Sequence, residues 1–296
     1  MQPGRRLGLT RDEMRAKLDL FARRYDRAFL DSDPLGVVRR FDRPEDRELI
    51  GLLAAGLAYG RAGSIRASLD RLLDVLGPRP SRFLEGFDPV GDEKRFAGFR
   101  HRFTSGRHVA LLLGWVRSAR ETAGSLETLF VQHDPDPAGP HLGPAMDAFA
   151  DALAALDPGS PESPRHDADR ARARWLLPRP RDGSVCKRHC LFLRWMVRPE
   201  DGLDCGIWKR VSPARLVVPL DVHMERLARS LGWTRRRTPS WAMAVEVTDT
   251  LRRLDPDDPT RYDFALSRLG ILGLVRARGG RLSLRDVAAA LDAQTV

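Results

Sequence analysis

Apolar residues recur every three or four positions along most of this chain, and the elements they predict are helices. Thr10-Arg11-Asp12-Glu13 has the form of a capping box, and Met14, Leu18, Leu20 and Phe21 follow it at helical spacing. Asp42-Arg43-Pro44-Glu45 predicts a second start, with proline near the first turn. Leu49, Ile50, Leu52, Leu53 and Leu57 then form a wide apolar face. From Ser64 the pattern continues through Ile65, Leu69, Leu72, Leu73 and Leu76, and residues 107–121 and 143–156 predict further helices. Strand-like runs are scarce. Leu216-Val217-Val218 is short and stopped by Pro219. The pattern predicts an all-α fold, with helices near 10–25, 43–77 and 107–156 in its first half.

The clearest break is Asp157-Pro-Gly-Ser-Pro-Glu-Ser-Pro164, a linker by composition. It divides the chain into an N-terminal helical region over 1–156, a linker over 157–169 and a C-terminal region over 170–296. A second long loop is expected over Arg79–Arg102. With 296 residues, 42% of them hydrophobic, the chain can build one large or two ordinary domains around a real core. Three cysteines, Cys186, Cys190 and Cys205, make no disulfide framework and read as an intracellular chain. The first residues lack the apolar core of a signal peptide, and no apolar run approaches the ~20 residues of a membrane span. The expectation is a soluble, cytoplasmic protein without a membrane partner.

Charge changes the picture. The net charge is +10, which favours a polyanionic partner such as nucleic acid, although an arginine-rich proteome would also raise it. Nine bases and one acid, Asp182, fall between Arg170 and Arg198. In the same stretch Trp175-Leu-Leu-Pro178 ends one apolar segment, Arg179–Ser184 turns, and Val185–Val197 resumes a helix with Leu191, Phe192, Trp195 and Met196 on one broad face. The free N–H groups and positive dipole end of that second helix suit a phosphate, with Gly183, Ser184, Arg181 and Arg188 as candidate DNA contacts. Charge alone leaves open an ordinary helical hairpin with a solvated arginine face.

One residue of this stretch stands out. Of 50 basic side chains only Lys17, Lys94, Lys187 and Lys209 are lysine. Arginine cannot lose its proton in a protein, whereas lysine can serve as an amine nucleophile. Lys187 is expected on the first turn of the second helix, where partial burial, neighbouring Arg188 and the helix dipole would each favour the neutral amine. Further on, Val218-Pro219-Leu220-Asp221-Val222-His223 ends an extended run and begins a helix stopped by Gly232. Asp221 is expected as its N-cap, a position compatible with catalysis because it fixes the carboxylate. His223 reads as a DNA contact or as a satisfied polar residue.

Pro180-x-x-Gly183-x-x-x-Lys187, followed by Val218-Pro219-x-Asp221-x-His223 and Arg226-Leu-x-Arg229-x-Leu-Gly232, resembles the helix-hairpin-helix DNA glycosylase superfamily. The gap from Lys187 to Asp221 is longer than in endonuclease III-like members and is more similar to the archaeal 8-oxoguanine glycosylase branch. Cys186–Arg198 and Tyr262-Asp-Phe-Ala-Leu-x-Arg-Leu-Gly270 also resemble a bacterial family labelled only as a domain of unknown function. The resemblance implies two helical subdomains, a helix-hairpin-helix motif and an active site in the cleft between them. It places Gly183 on the hairpin's first glycine, Lys187 on the catalytic lysine and Asp221 on the catalytic aspartate. Val185 stands where the motif has a second glycine. The C-terminal segment lacks the four cysteines of the iron–sulfur members, so no cluster is implied. Ala58-Tyr59-Gly60-Arg61 stands in the helix where many members carry a gap-filling glutamine, so Tyr59 or Arg61 could serve.

The resemblance implies a bifunctional DNA glycosylase and abasic-site lyase acting in base excision repair at the bacterial nucleoid. The expected partner is double-stranded DNA with a damaged base, 8-oxoguanine foremost, and the protein is expected to act as a monomer. Lys187 would attack C1′ of a flipped nucleotide with help from Asp221, without metal or cofactor. Leu191, Asp263 and Phe264 are candidate pocket residues, with Tyr59 and Trp208 beside them. Trp195 and Trp208 are candidate stacking residues, although Trp195 fits a core face better. Two other classes stay open. One is a non-catalytic helix-hairpin-helix DNA-binding protein. The other is a zinc protein using Cys186, Cys190, Cys205 and His189 or His223, for which a lone Cys-x-x-x-Cys on an apolar helix is weak support.

Overall fold

The helices begin where their capping residues stand. The computed structural model describes residues 2–157, 164–275, 277–278 and 281–293, and these contain fourteen α-helices and two short hairpins. α1 (Arg11–Arg24) starts at Thr10, whose hydroxyl accepts from Glu13 N while Glu13 accepts from Thr10 N at 2.8 Å. α2 (Pro34–Val38) is capped by Asp33, and α3 (Pro44–Gly56) opens on Pro44, where the absent N–H has no partner to lose. α4 (Ala62–Leu76) follows a break at residues 57–61, so the apolar stretch over 43–77 is two helices.

The loop expected over Arg79–Arg102 is partly regular. It holds α5 (Pro80–Glu85), a 3-10 turn at Glu93–Phe96, and the first strand of a hairpin. In that hairpin β1 (Arg100–His101) pairs antiparallel with β2 (Thr104–Ser105), His101 opposite Thr104. α6 (Gly106–Ala123), α7 (Leu126–Gln132) and α8 (Gly143–Ala155) complete the first half. Of the expected linker, residues 158–163 lie outside the described residues, and the remainder needs correction. α9 (Pro164–Arg174) starts inside it, a helix polar almost all round and therefore without an apolar signature. α10 (Lys187–Val197), α11 (Val222–Leu231), α12 (Trp241–Arg252), α13 (Asp263–Ile271) and α14 (Leu284–Asp292) follow. β3 (Ala277–Arg278) pairs with β4 (Arg281–Leu282).

Packing joins elements far apart in sequence. α10 lies against α3, with Phe192, Trp195 and Met196 almost fully buried; burying each such side chain gives about 1.5–3 kcal/mol. Gly51 of α3 permits the approach, since a Cβ there would stand 2.7 Å from Met196 Cε. The first helix joins the last ones, α1 packing on α13 and α14, while α11 packs on α13. Among the described residues no helix is long and apolar enough to cross a membrane.

Candidate active site

Between α10, the start of α11 and α13 lies a cavity of about 480 Å³. Lys187, Leu191, Arg194 and Trp195 of α10 form one wall. Asp221, Val222 and His223 form a second, and Asp263, Phe264, Ser267, Arg268 and Ile271 of α13 a third. Asp33, the cap of α2, Ala58 and Gly60 of the break between α3 and α4, and Ile65 of α4 line the remaining side. The volume suits a ligand the size of a nucleobase with its sugar.

Lys187 is the first residue of α10 and is half-buried in this wall. No described residue forms a hydrogen bond or ion pair with its Nζ. The turn before it is tightly specified. Gly183 takes the left-handed conformation at φ 75°, and Ser184 Oγ accepts from Cys186 N at 3.1 Å. Cys186, immediately before Lys187, is also left-handed at φ 54°, a conformation that costs a non-glycine residue about 1–3 kcal/mol. That strained residue is the N-cap, so the helix starts at Lys187, two residues later than its apolar pattern predicts.

Asp221 caps α11, its Oδ1 accepting from Met224 N at 2.8 Å, and Gly232 at φ 72° ends the helix. This fixes one carboxylate oxygen while the residue still faces the cavity. His223 faces the same space. Gly270 of α13 makes room for it, since a Cβ at 270 would fall 2.2 Å from His223 Nδ1. The Asp221-x-His223 and Asp263-to-Gly270 segments therefore meet at one wall, although about 40 residues of sequence lie between them.

Asp263 is buried, and its Oδ2 accepts from Arg194 Nη1 at 2.9 Å. Desolvation pushes its carboxyl up to about 6. Arg194 opposes that push and the charge of Asp221 adds to it, which marks the two carboxylates as electrostatic neighbours. Phe264 lines the cavity with the Arg268 guanidinium 3.8 Å from its ring centroid, and Arg268 Nη2 donates to Asp33 at 2.9 Å. Sequence reasoning missed Arg194, Arg268 and Asp33. The spacing 187, 191, 194 puts Arg194 on the Lys187 face and could have found it. Nothing local links Arg268 to Asp33.

Several expected site residues stand elsewhere. Trp208 is in the core, donating its Nε1 to buried Glu48 at 2.8 Å among Phe130, Phe149 and Phe192; it does not reach the cavity. Tyr59 is also outside the lining, although Ala58 and Gly60 on either side belong to it. Its hydroxyl is held by His101 O and Thr104 Oγ1, and its ring by Trp175. Arg188 is buried, not a phosphate contact. It donates to Gly56 O and Trp175 O, lies 3.6 Å from the Trp175 ring centroid, and is pushed down to about 10 by desolvation. Trp195 lines the cavity but is buried in the α10 wall.

The basic stretch is largely neutralised at home. Arg174, Arg179 and Arg181 all pair with Asp151, and Arg179 also grips Asp182 through both carboxylate oxygens. Burial would raise the Asp151 carboxyl, but these three arginines outweigh it and hold it below the ordinary range. Arg181 and Gly183 remain exposed on the surface, and Ser184 is half-buried.

The cysteines are buried free thiols, Cys186 pushed up to about 12 and Cys205 to about 11 by desolvation. His189 is also buried, with Nδ1 at Pro178 O, 3.3 Å away. Among the described residues no three histidine, cysteine, aspartate or glutamate side chains gather as a metal site.

Comparison with curated proteins and with solved structures finds no match. Residues 33–272, from the Asp33 that caps α2 to the end of α13, match the family described as "Protein of unknown function (DUF2400)", and the chain belongs to that family.

Proposed function

We propose that this protein is a DNA glycosylase with abasic-site lyase activity, acting on an oxidised purine, 8-oxoguanine foremost. In this reading α9, the turn at Gly183 and α10 are the helix-hairpin-helix unit, and the cavity is the cleft that receives the flipped nucleotide. The observation that carries it is the meeting of a lysine unpaired among the described residues with a helix-capping carboxylate and a second, buried carboxylate in one nucleoside-sized cavity. The exposed turn at Arg181–Gly183 would face the phosphates, and paired arginines would act through the net field more than through free side chains.

The lysine amine attacks C1′, the C1′–N9 bond breaks, and the purine departs with the bonding pair and takes up a proton. Asp221 stabilises positive charge developing on the sugar and accepts the proton lost by the amine. The sugar ring opens to an imine between Nζ and C1′. Loss of a C2′ proton then expels the 3′ phosphate, and water releases the lysine. Asp263 accepts N–H donors from the base edge while Phe264 and Leu191 close the apolar sides.

Sodium borohydride trapping on a duplex with 8-oxoguanine opposite cytosine tests the reading. The wild type gives a covalent adduct, and Lys187→Gln gives none. Absence of an adduct on every damaged-base and abasic duplex overturns the lyase mechanism and leaves a DNA-binding protein without lyase chemistry.

A further inference from the structure

The β1–β2 hairpin carries a feature that the folded core does not use. Its two turn residues are Arg102 and Phe103, and both are exposed, Phe103 to 60%. The residues on either side, His101 and Thr104, are each 2% exposed. An apolar ring thus projects into water from a base sunk in the protein.

That base is rigid. Tyr59 Oη donates to His101 O at 2.8 Å and lies 2.6 Å from Thr104 Oγ1. The His101 ring bridges Tyr59 O at 3.0 Å and Ser68 Oγ at 2.9 Å, while Arg71 donates to Arg100 O and to Ser68. Two-residue hairpin turns require positive φ, a need usually met by glycine or asparagine. Here Arg102 meets it, at φ 51°. Among the described residues the only other non-glycine with positive φ is Cys186, beside Lys187. Strain held at two places that border one cavity marks both as more than scaffold. The border is direct: Arg102 Cδ and Nη1 each lie 3.1 Å from where a Cβ would stand on cavity-lining Gly60.

Flipping a nucleotide leaves an unstacked gap in the duplex, and an apolar side chain inserted between base steps offsets that cost. We propose that the Arg102–Phe103 tip enters the duplex beside the cavity, with the Phe103 ring stacking in the space the flipped nucleotide vacates. Arg102 lies against this ring, its Cζ 5.8 Å from the centroid, and fixes the angle at which the ring is presented. The role expected of Tyr59 or Arg61 passes to the hairpin that Tyr59 supports. The inference rests on the DNA reading above, but not on the lysine chemistry.

Binding therefore tests it without turnover. In a Lys187→Gln background, affinity is measured for a duplex with a stable tetrahydrofuran abasic analogue and for the same duplex intact, with 2-aminopurine beside the site reporting stacking. Base–aromatic stacking is worth about 1–3 kcal/mol, so Phe103→Ala should cut the preference for the abasic duplex roughly 5- to 150-fold. The 2-aminopurine signal should lose its protein-dependent change, and Phe103→Trp should restore both. An unchanged thermal midpoint verifies that the variant is folded. Equal preference in Phe103→Ala, or no preference in the Lys187→Gln parent, overturns the proposal. Failure of the lysine mechanism would show separately, as missing borohydride adducts with the wild type.

Discussion

Helix α10 carries cations at both ends, and the two ends treat charge in opposite ways. At its start Lys187 faces the cavity with no ion-pair partner among the described residues. Near its end Arg194 and, just past it, Arg198 are buried and locked to carboxylates. Arg194 holds Asp204 and Asp263, and Arg198 holds Asp201, Asp204 and Asp258. Desolvation pulls the Arg198 guanidinium down, but Asp204, Asp258 and Asp201 more than offset it. The residue types fit the two tasks. A guanidinium is permanently charged and forks to several carboxylates, so it suits a buried lattice; under the proposed function the open end needs a primary amine, which a guanidinium cannot replace. Asp263 joins the ends, bonded to Arg194 on one side and lining the cavity of Lys187 on the other.

The sharpest way to break the comparison is to make the two ends alike. Lys187→Arg keeps the positive charge at the cavity and removes the capacity to become an amine nucleophile. If the open end exists for chemistry, borohydride adducts disappear completely while affinity for abasic-analogue DNA stays within about threefold, a change of roughly 0.6 kcal/mol. Trapping by Lys187→Arg at the wild-type level would assign the covalent step to another residue.

The closed end should fail by unfolding instead. Asp204 is fully buried between Arg194 and Arg198. Asp204→Asn leaves two buried guanidiniums short of charge, and breaking such a pair costs about 3–5 kcal/mol. Urea midpoints measure this. A loss below ~1 kcal/mol would mean that Asp201, Asp258 and Asp263 hold the arginines without it.

What the sequence revealed divides along the same line. Local chemistry was legible. The Thr10 capping box, Pro44, Asp221 and Gly232 stand at helix ends because each satisfies or terminates its own backbone within a few residues. Lys187 was legible because it is an exception among arginines, and Leu191 and Asp263 reach the same cavity. Partnerships across the fold were not. Nine bases in a window look like a free basic face, yet Asp151, Asp204, Asp258 and Asp263 come from other parts of the chain to neutralise them. Trp208 looked available because its partner Glu48 is 160 residues away. The hairpin at 100–105 was invisible for a different reason, since strands of two residues show no alternation and its turn carries neither glycine nor asparagine.

Between the two ends of α10 lies His189, fully buried and pushed down to about 4 by desolvation. The unfolded chain takes up this proton near pH 6.5, and the native state only near 4. Between those values the unfolded state binds more protons, so native stability falls as pH drops through the window and is unaffected above it. At about 1.4 kcal/mol per unit the loss is roughly 3 kcal/mol. Urea midpoints of His189→Leu should lack this part of the acid slope. An identical slope would place the buried titration elsewhere.

The smallest effect is the most discriminating, because its sign is unusual. Lys187 places a basic side chain on the first turn of α10, at the positive end of the helix dipole and with no carboxylate paired to it among the described residues. Such a placement is unfavourable by about 0.3–1 kcal/mol. Lys187→Gln should therefore stabilise the fold by a few tenths of a kcal/mol while abolishing adduct formation. Stability gained where activity is lost is what a residue kept for chemistry predicts. A destabilisation of ~2 kcal/mol would instead make Lys187 a structural cation like Arg194, and the two ends of the helix would no longer differ in kind.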